Sequence, residues 1–384
     1  MNIALAGGGT GGHLFPGLAV AEEFRRRDPA ARLLLLCTDR DEAYDAPQEL
    51  GLERVVIPST HTGSLPRRVA ALVPAFVRAL RAVCRFQPDA VVGLGGYGSV
   101  APVLCAALRG IPCVLLEQNV IPGRSNRFLA RFVDEVETQW EESVPHFRAR
   151  ERVRVTGNPV REFIRRRDRA ECAAQMGLDP SLPTLLVMGG SQGARPLNTL
   201  MLAALPILAT AGVRMQVIHL AGPADGERLR AAYEQYAVPA KVFGFLADMP
   251  LAYSACDLAF TRAGGTSIAE LTALGIPAIF VPYPHAMDNH QLRNASVLEQ
   301  HHAAVVVEQA TISPHALAHR LAELLGSRDR LADMARQSRA IGAPKAAAAV
   351  ADRIEALAHA RNGNGHHKPW VSRLLARWGE AKPL

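Results

Sequence analysis

Residues Phe260 to Asn294 read FTRAGGTSIAELTALGIPAIFVPYPHAMDNHQLRN, and the end of this stretch crowds Tyr283, His285, Asp288, Asn289 and Gln291 into one loop. A connection with only a structural task needs no such density of hydrogen-bonding side chains. Ahead of the loop, the apolar Leu258-Ala259-Phe260 gives way to Gly264 and Gly265 and then to helix formers through Thr266, Ser267, Ile268, Ala269 and Glu270. A helix start offers amides without intrahelical acceptors and the positive end of the helix dipole, so it seats an anion. Glu270 has two readings. Three residues after Ser267 it completes a capping box; as a ligand residue its carboxylate would accept both hydroxyls of a ribose. The two can hold together, and the stretch predicts a nucleotide-diphosphate pocket. Gly275 and Pro277 end the helix before a strand over Ala278 to Val281.

The elements that would position such a pocket recur along the chain. Asn2 to Ala6 predicts a strand, Gly7-Gly8-Gly9-Thr10-Gly11-Gly12-His13 a glycine loop, and Pro16 to Arg27 a helix. Gly7, Gly9 and Gly12 satisfy G-x-G-x-x-G, and Asp39 follows a second strand, Arg32 to Cys37; this is also the pattern of a nicotinamide-dependent oxidoreductase. Strands are expected at Val55 to Pro58 and Ala90 to Leu94, with a helix over Pro66 to Phe86 between them. That helix carries the stripe Val69, Leu72, Phe76, Leu80 and Val83, beside Arg67, Arg68, Arg78, Arg81 and Arg85, which suits either core packing or a basic, apolar surface resting on a membrane. A second glycine loop, Gly93 to Ser99, precedes a helix over Ala101 to Arg109, and the strand Pro112 to Leu116 exits into Glu117, Gln118 and Asn119.

Thr156-Gly157-Asn158-Pro159 marks a junction, after which the pattern restarts with a strand at Leu185 to Met188, a third glycine loop over 189–195 and a helix over Pro196 to Ala209. Further strands at Gln216 to Leu220, Lys241 to Phe243 and Leu258 to Phe260 make this half another doubly wound sheet. Ligands of open parallel sheets sit at the carboxyl ends of the strands, so two Rossmann-like halves predict an active-site cleft between domains.

Composition narrows the function classes. With 384 residues, 49% hydrophobic and 21% charged, and a mean hydropathy of +0.05, the chain is globular and of about two domains. The six cysteines form no CxxC pair, so buried thiols in a reducing compartment are expected. Among the thirteen histidines there is no HExxH or other metal-ligand pattern, and no metal or cofactor is expected. Neither a basic leader nor an apolar run of membrane-spanning length is present, which predicts a protein kept on the cytoplasmic side. A net charge of +7 and a pI near 9.3 imply an anionic partner. Aromatics at 5% lack the interleaving with basic residues that binds nucleic acid, so nucleic acid is not expected.

Taken in order, the loop at 7–13, GLGGYGS at 93–99, EQN at 117–119, GNPVR at 157–161, GGSQGAR at 189–195 and the stretch at 260–294 closely resemble the MurG family. These enzymes of peptidoglycan synthesis add N-acetylglucosamine to lipid-linked N-acetylmuramyl-pentapeptide. The resemblance covers about residues 1–357. It implies an α/β GT-B glycosyltransferase fold, two Rossmann-like domains facing a central cleft. It divides the chain into an acceptor and membrane-side domain over 1–160, a donor domain over 161–342 and a helix over 343–360 returning to the first domain, leaving a tail over 361–384. It implies UDP-N-acetylglucosamine as donor, an undecaprenyl-diphosphate-linked acceptor (lipid I), inversion at the anomeric carbon, and residence on the cytoplasmic face of the membrane.

By the same resemblance Thr10, Gly11 and Gly12 meet the donor sugar and Asn119 the N-acetylglucosamine. Arg161 and Ser191 approach the diphosphate, and the backbone of Leu246 meets uracil. Gly265, Thr266, Ser267, Ile268, Ala269 and Glu270 hold diphosphate and ribose, with Gln291 a further donor contact. Gly95, Gly96 and Tyr97 lie on the acceptor side. Gly265-Thr266-Ser267 and Gly98 depart from the side chains usual in relatives. Transfer requires that the acceptor's 4-hydroxyl lose a proton while UDP departs. His13, whose residue type titrates near neutrality, is the first candidate base, and it could instead bond a backbone carbonyl or the acceptor diphosphate. Glu117 is the second candidate.

Beyond the resemblance, the tail holds five Lys or Arg against Glu380 alone, with Trp370, Val371, Leu374, Leu375 and Trp378 on one helical stripe. That pattern fits an amphipathic helix lying on an anionic membrane surface, and equally a tail without fixed structure.

Overall fold

The computed structural model describes residues 1–39, 41, 50–58, 65–190 and 194–363. They fall into two compact units, Met1–Glu162 with the segment from Lys345, and Phe163–Pro344. The basic tail lies outside the described residues.

Apolar runs that are hydrophobic at every position suit parallel strands covered on both faces. In the first unit β1 (Asn2–Gly7), β2 (Arg32–Cys37), β3 (Glu53–Val56), β4 (Ala90–Gly95), β5 (Cys113–Glu117), β6 (Glu135–Thr138) and β7 (Val153–Val155) form one parallel sheet in the order β3-β2-β1-β4-β5-β6-β7. Side chains alternate between faces. Ile3, Leu5, Leu33 and Leu35 pack with Leu14, Leu18 and Phe24 of the helix Gly11–Arg27, and with Val350 and Ile354 of the helix Ala346–Gly363. Ala4, Ala6, Leu34 and Leu36 face the opposite core, with Val83, Phe86 and Val103. Arg27 ties the two covering helices by ion pairs to Asp352 (2.7 Å) and Glu355 (2.9 Å).

The second unit repeats the plan. β8 (Thr184–Met188), β9 (Gln216–Leu220), β10 (Ala240–Phe243), β11 (Leu258–Thr261), β12 (Ala278–Phe280) and β13 (Ala304–Val306) form a parallel sheet in the order β10-β9-β8-β11-β12-β13. In each sheet the winding reverses beside the first strand, between β1 and β4 and between β8 and β11. Ligands of doubly wound sheets bind at such points, beyond the strands' carboxyl ends.

The structure departs from the reading of the sequence in its strands and in one helix. Strands β6, β7 and β13 were not expected; β6 reads Glu-Val-Glu-Thr, yet all four residues are buried. Glu135 is accommodated by Arg353, whose Nε donates to Oε2 at 2.9 Å. In the helix Leu65–Phe86 the buried stripe is Ala75, Ala79, Val83 and Phe86, whereas Leu80 is exposed together with Val73 and Val77. Ala75 and Ala79 on the inner face let this part of the helix lie close to the sheet, while Val73, Val77 and Leu80 turn outward. The side chains of Arg67, Arg68, Val69 and Leu72 lie outside the described residues. All six cysteines are free thiols, five of them buried, and burial pushes Cys105 and Cys256 up to about 12.

Glu137 on β6 is buried with no hydrogen bond of ordinary geometry to either carboxylate oxygen; burial, opposed by the nearby Thr156 hydroxyl and reinforced by the charge of Glu135, pushes its pKa from 4.5 to about 7. The folded chain therefore holds this proton more tightly than the unfolded chain. The stabilisation is complete below pH 4.5 and is lost as pH rises through 7. Glu137→Gln should raise the unfolding free energy by about 2 kcal/mol at pH 8 and leave it unchanged at pH 4.5, as read by urea unfolding at the two pH values.

Candidate active site

Beyond β1, Gly7, Gly8 and Gly9 all take positive φ (128°, 134° and 87°). A buried carboxylate explains the path. Asp41 accepts the Gly9 N–H on Oδ1 at 2.6 Å, and the Thr38 N–H and hydroxyl on Oδ2, each at 2.9 Å. A Cβ on Gly8 would fall 2.4 Å from that Oδ2. The loop thus spends an amide on the protein's own anion. Asp39, the acid singled out in the sequence, is exposed, and the organising residue stands two positions later. Gly98 also belongs to this packing, because a Cβ there would meet the Thr38 methyl at 2.7 Å.

The helix Gly11–Arg27 begins earlier than its sequence pattern suggested, so His13 sits in its first turn. The imidazole lies against the end of β4, with Nδ1 3.1 Å from the Leu94 carbonyl and 3.2 Å from Gln118 Oε1. A carbonyl oxygen only accepts, so Nδ1 is the donor, and in the neutral ring this tautomer places the lone pair on Nε2. Gly95 permits this approach. Its φ is +96°, and a Cβ there would stand 2.9 Å from His13 Nδ1. Around the ring, Thr10 and Gly12 are exposed and Gly11 is buried; Gly95 is buried, Gly96 half-buried and Tyr97 46% exposed.

Glu117, the second candidate base, is 2% exposed and fully engaged. Its Oε1 accepts the backbone and side-chain amides of Asn119 (2.9 and 3.2 Å), and its Oε2 accepts the Gly123 N–H and Asn126 Nδ2, both at 2.9 Å. With four donors on one carboxylate, Glu117 folds the loop that presents Asn119 and has no lone pair to spare for a substrate proton. Asn126, which also donates to the Leu116 carbonyl at 2.8 Å, is a site residue that no sequence pattern had marked. Arg161 stacks over the Phe15 ring at 5.1 Å.

In the second unit the helix Gly265–Leu274 starts two residues before Ser267, with Gly264 as an N-cap that makes no side-chain hydrogen bond. The capping-box reading of Ser267 and Glu270 is thereby corrected. Glu270 is the sixth helical residue, too far along to reach the cap amide, and it accepts the Tyr253 hydroxyl on Oε2 at 2.7 Å instead. The amides of Gly265, Thr266 and Ser267 precede the first intrahelical bond, from Ile268 N–H to Gly264 C=O. Thr266 and Ser267 are half-buried, while Ile268 (0%) and Ala269 (5%) pack into the core and can meet a ligand only through their backbone.

Leu246 is half-buried beside the exposed Phe245. Gln291 Oε1 accepts the Tyr283 N–H at 2.9 Å and so shapes its loop from within. Arg262 reinforces the same loop from below, donating to the carbonyls of Val281 (2.9 Å) and Pro282 (3.2 Å) and lying over the Tyr283 ring at 5.6 Å. Ser191 lies outside the described residues.

Two domain descriptions match: the glycosyltransferase family 28 N-terminal domain over residues 3–138 and the glycosyltransferase family 28 C-terminal domain over residues 184–354. The UDP-N-acetylglucosamine--N-acetylmuramyl-(pentapeptide) pyrophosphoryl-undecaprenol N-acetylglucosamine transferase of Nitratidesulfovibrio vulgaris (strain Miyazaki F) is 44% identical over 382 residues, 94% of this chain and 99% of the relative. The enzyme of the same name from Pelobacter propionicus is 40% identical over 348 residues, 85% and 91% of the two chains. The crystal structure of Acinetobacter baumannii MurG superposes with a TM-score of 0.75 at 29% identity, over 92% of this chain and 99% of that one. The chain belongs to the MurG family, within glycosyltransferase family 28.

Family 28 membership replaces the nicotinamide reading of the first glycine loop, and Asp41 supplies a physical reason: a loop amide bound to a buried carboxylate is not offered to a dinucleotide phosphate. The two sheets, each with its helices, are the GT-B architecture of this family, and the MurG-family chain is a UDP-N-acetylglucosamine-dependent glycosyltransferase.

Glu117→Gln replaces one acceptor oxygen with an amide that must face a donor. The expected loss is about 1–3 kcal/mol of stability, measured by thermal or urea unfolding without substrate. An unchanged melting temperature would return Glu117 to the list of bases.

Proposed function

We propose that this MurG-family chain transfers N-acetylglucosamine from UDP-N-acetylglucosamine to the 4-hydroxyl of N-acetylmuramyl-pentapeptide on undecaprenyl diphosphate, inverting the anomeric carbon and converting lipid I to lipid II. The observation that carries this reading is the Nitratidesulfovibrio relative, which matches over 99% of its length and whose name states that donor and acceptor.

In this reading His13 is the base. Its protonated Nδ1 is anchored to the Leu94 carbonyl, which leaves Nε2 to take the acceptor's 4-hydroxyl proton as the oxygen attacks the anomeric carbon and the bond to UDP breaks. The diphosphate's growing charge is met by the helix start at Gly265 to Ser267, by Arg161 and by Ser191. Glu270 accepts the ribose hydroxyls, the Leu246 backbone meets uracil, and Gln291 keeps its loop in place beside the donor. Thr10, Gly11, Gly12 and Asn119 border the sugar, and Gly95, Gly96 and Tyr97 the acceptor.

The acceptor is a lipid, so the enzyme works at a membrane surface. Among the described residues no helix is long and apolar enough to cross a membrane. Val73 (66%), Val77 (41%) and Leu80 (37%) form an exposed apolar row on the helix Leu65–Phe86, beside the exposed Arg81 and Arg85. Leu108 is exposed at 45% on the helix Val100–Leu108, which packs against it. Apolar side chains ringed by arginine suit peripheral binding to an anionic leaflet, here the cytoplasmic face where nucleotide sugars are made.

Radiolabel should pass from UDP-N-acetylglucosamine to a short-chain lipid I analogue with release of UDP, and only when the acceptor is present. His13→Ala should lower kcat about 10²–10⁴-fold with donor affinity unchanged. Equal losses in both would remove His13 from the role of base; absence of transfer despite donor binding would overturn the acceptor.

A further inference from the structure

The mechanism above gives Glu270 the ribose but leaves a fully buried phenol beside it unused. Tyr253 lies on the helix Met249–Ala255 and is 2% exposed. Its hydroxyl donates to Glu270 Oε2 at 2.7 Å and stands 3.8 Å from Met188 Sδ, at the end of β8. Burial, followed by the charge of Glu270, pushes the phenol well above its ordinary value, so it remains a donor throughout the working range of pH. A glutamate on a helix surface has three rotatable bonds and freely samples rotamers. One bonded to a rigid, buried phenol does not.

We propose that Tyr253 is a positioning residue for nucleotide binding: by fixing Glu270 in a single orientation it sets the enzyme's affinity for, and selection of, a nucleotide bearing both ribose hydroxyls. The proposal rests on Glu270 being the ribose acceptor. The ordering of the Glu270 side chain is paid when the protein folds rather than when the donor binds, which is the general source of gain from preorganisation. Tyr253 touches no substrate and acts only through the carboxylate.

The test compares the Kd of UDP with that of 2′,3′-dideoxy-UDP, by calorimetry on the full chain, for the unmodified protein, Tyr253→Phe and Glu270→Ala. Phenylalanine keeps the ring and its packing and removes only the donor. The expected result is a Kd for UDP about fivefold to tenfold weaker in Tyr253→Phe, a nearly unchanged Kd for dideoxy-UDP, and kcat at saturating donor within about twofold. Glu270→Ala should abolish the preference for UDP over dideoxy-UDP. If Glu270→Ala leaves that preference intact, the ribose reading of Glu270 falls and the proposal with it. If Glu270→Ala abolishes it but Tyr253→Phe preserves it in full, only the positioning role is overturned. Equal weakening of both ligands by Tyr253→Phe, or a melting temperature lowered by more than a few degrees, would assign Tyr253 to packing alone and likewise overturn the role.

Discussion

A carboxylate taken out of water must collect donors or give up its charge, and that requirement shapes the strand exits of this protein. Asp41 gathers the Gly9 amide and two donors from Thr38, and so sets the course of the first glycine loop. Glu117 gathers four donors and so folds the segment carrying Asn119 and Asn126. Glu270 is held by the Tyr253 phenol. Asp257, just ahead of β11, accepts the Thr184 amide and the Arg169 guanidinium, tying β8 to its neighbour at the opposite end of the sheet. Glu137 shows the other outcome: too few donors reach it to offset its burial, and it retains its proton up to about neutral pH.

The same economy separates the two polar groups around the imidazole. Gln118 and the Leu94 carbonyl both stand at His13 Nδ1, and together they leave Nε2 as the ring's only available acceptor. A histidine free to flip would offer either nitrogen to either partner. Here a main-chain carbonyl makes the choice, and the glycine at position 95 makes room for it.

Much of the fold was legible because its signals are local. β2 and β9 were read with their ends in place, since uninterrupted apolar runs between turn residues have few alternatives. β6 was hidden because Glu135 and Glu137 look like surface residues until Arg353, more than two hundred positions later, supplies the partner for one of them. For the site, residue types were visible but their duties were not. Ser267 and Glu270 have capping-box spacing in the sequence, and only the true start of the helix at Gly265 shows that the box cannot close. Asp41, Asn126, Tyr253 and Arg262 escaped notice because their partners lie at irregular separations, three residues for Thr38 and Asp41 but 32 for Gly9 and Asp41, and no short motif encodes such pairings.

The helix Ala346–Gly363 completes a core that begins at Ile3, although the whole second unit lies between them in the chain. Synthesis from the amino-terminal side therefore leaves one face of the first sheet, with Leu14, Leu18 and Phe24, uncovered by Val350 and Ile354 until the whole second unit has been made. The second unit is a single continuous segment and can finish first. The first unit is thus completed after the second, and a nascent chain halted near residue 340 would display an apolar surface that chaperones recognise.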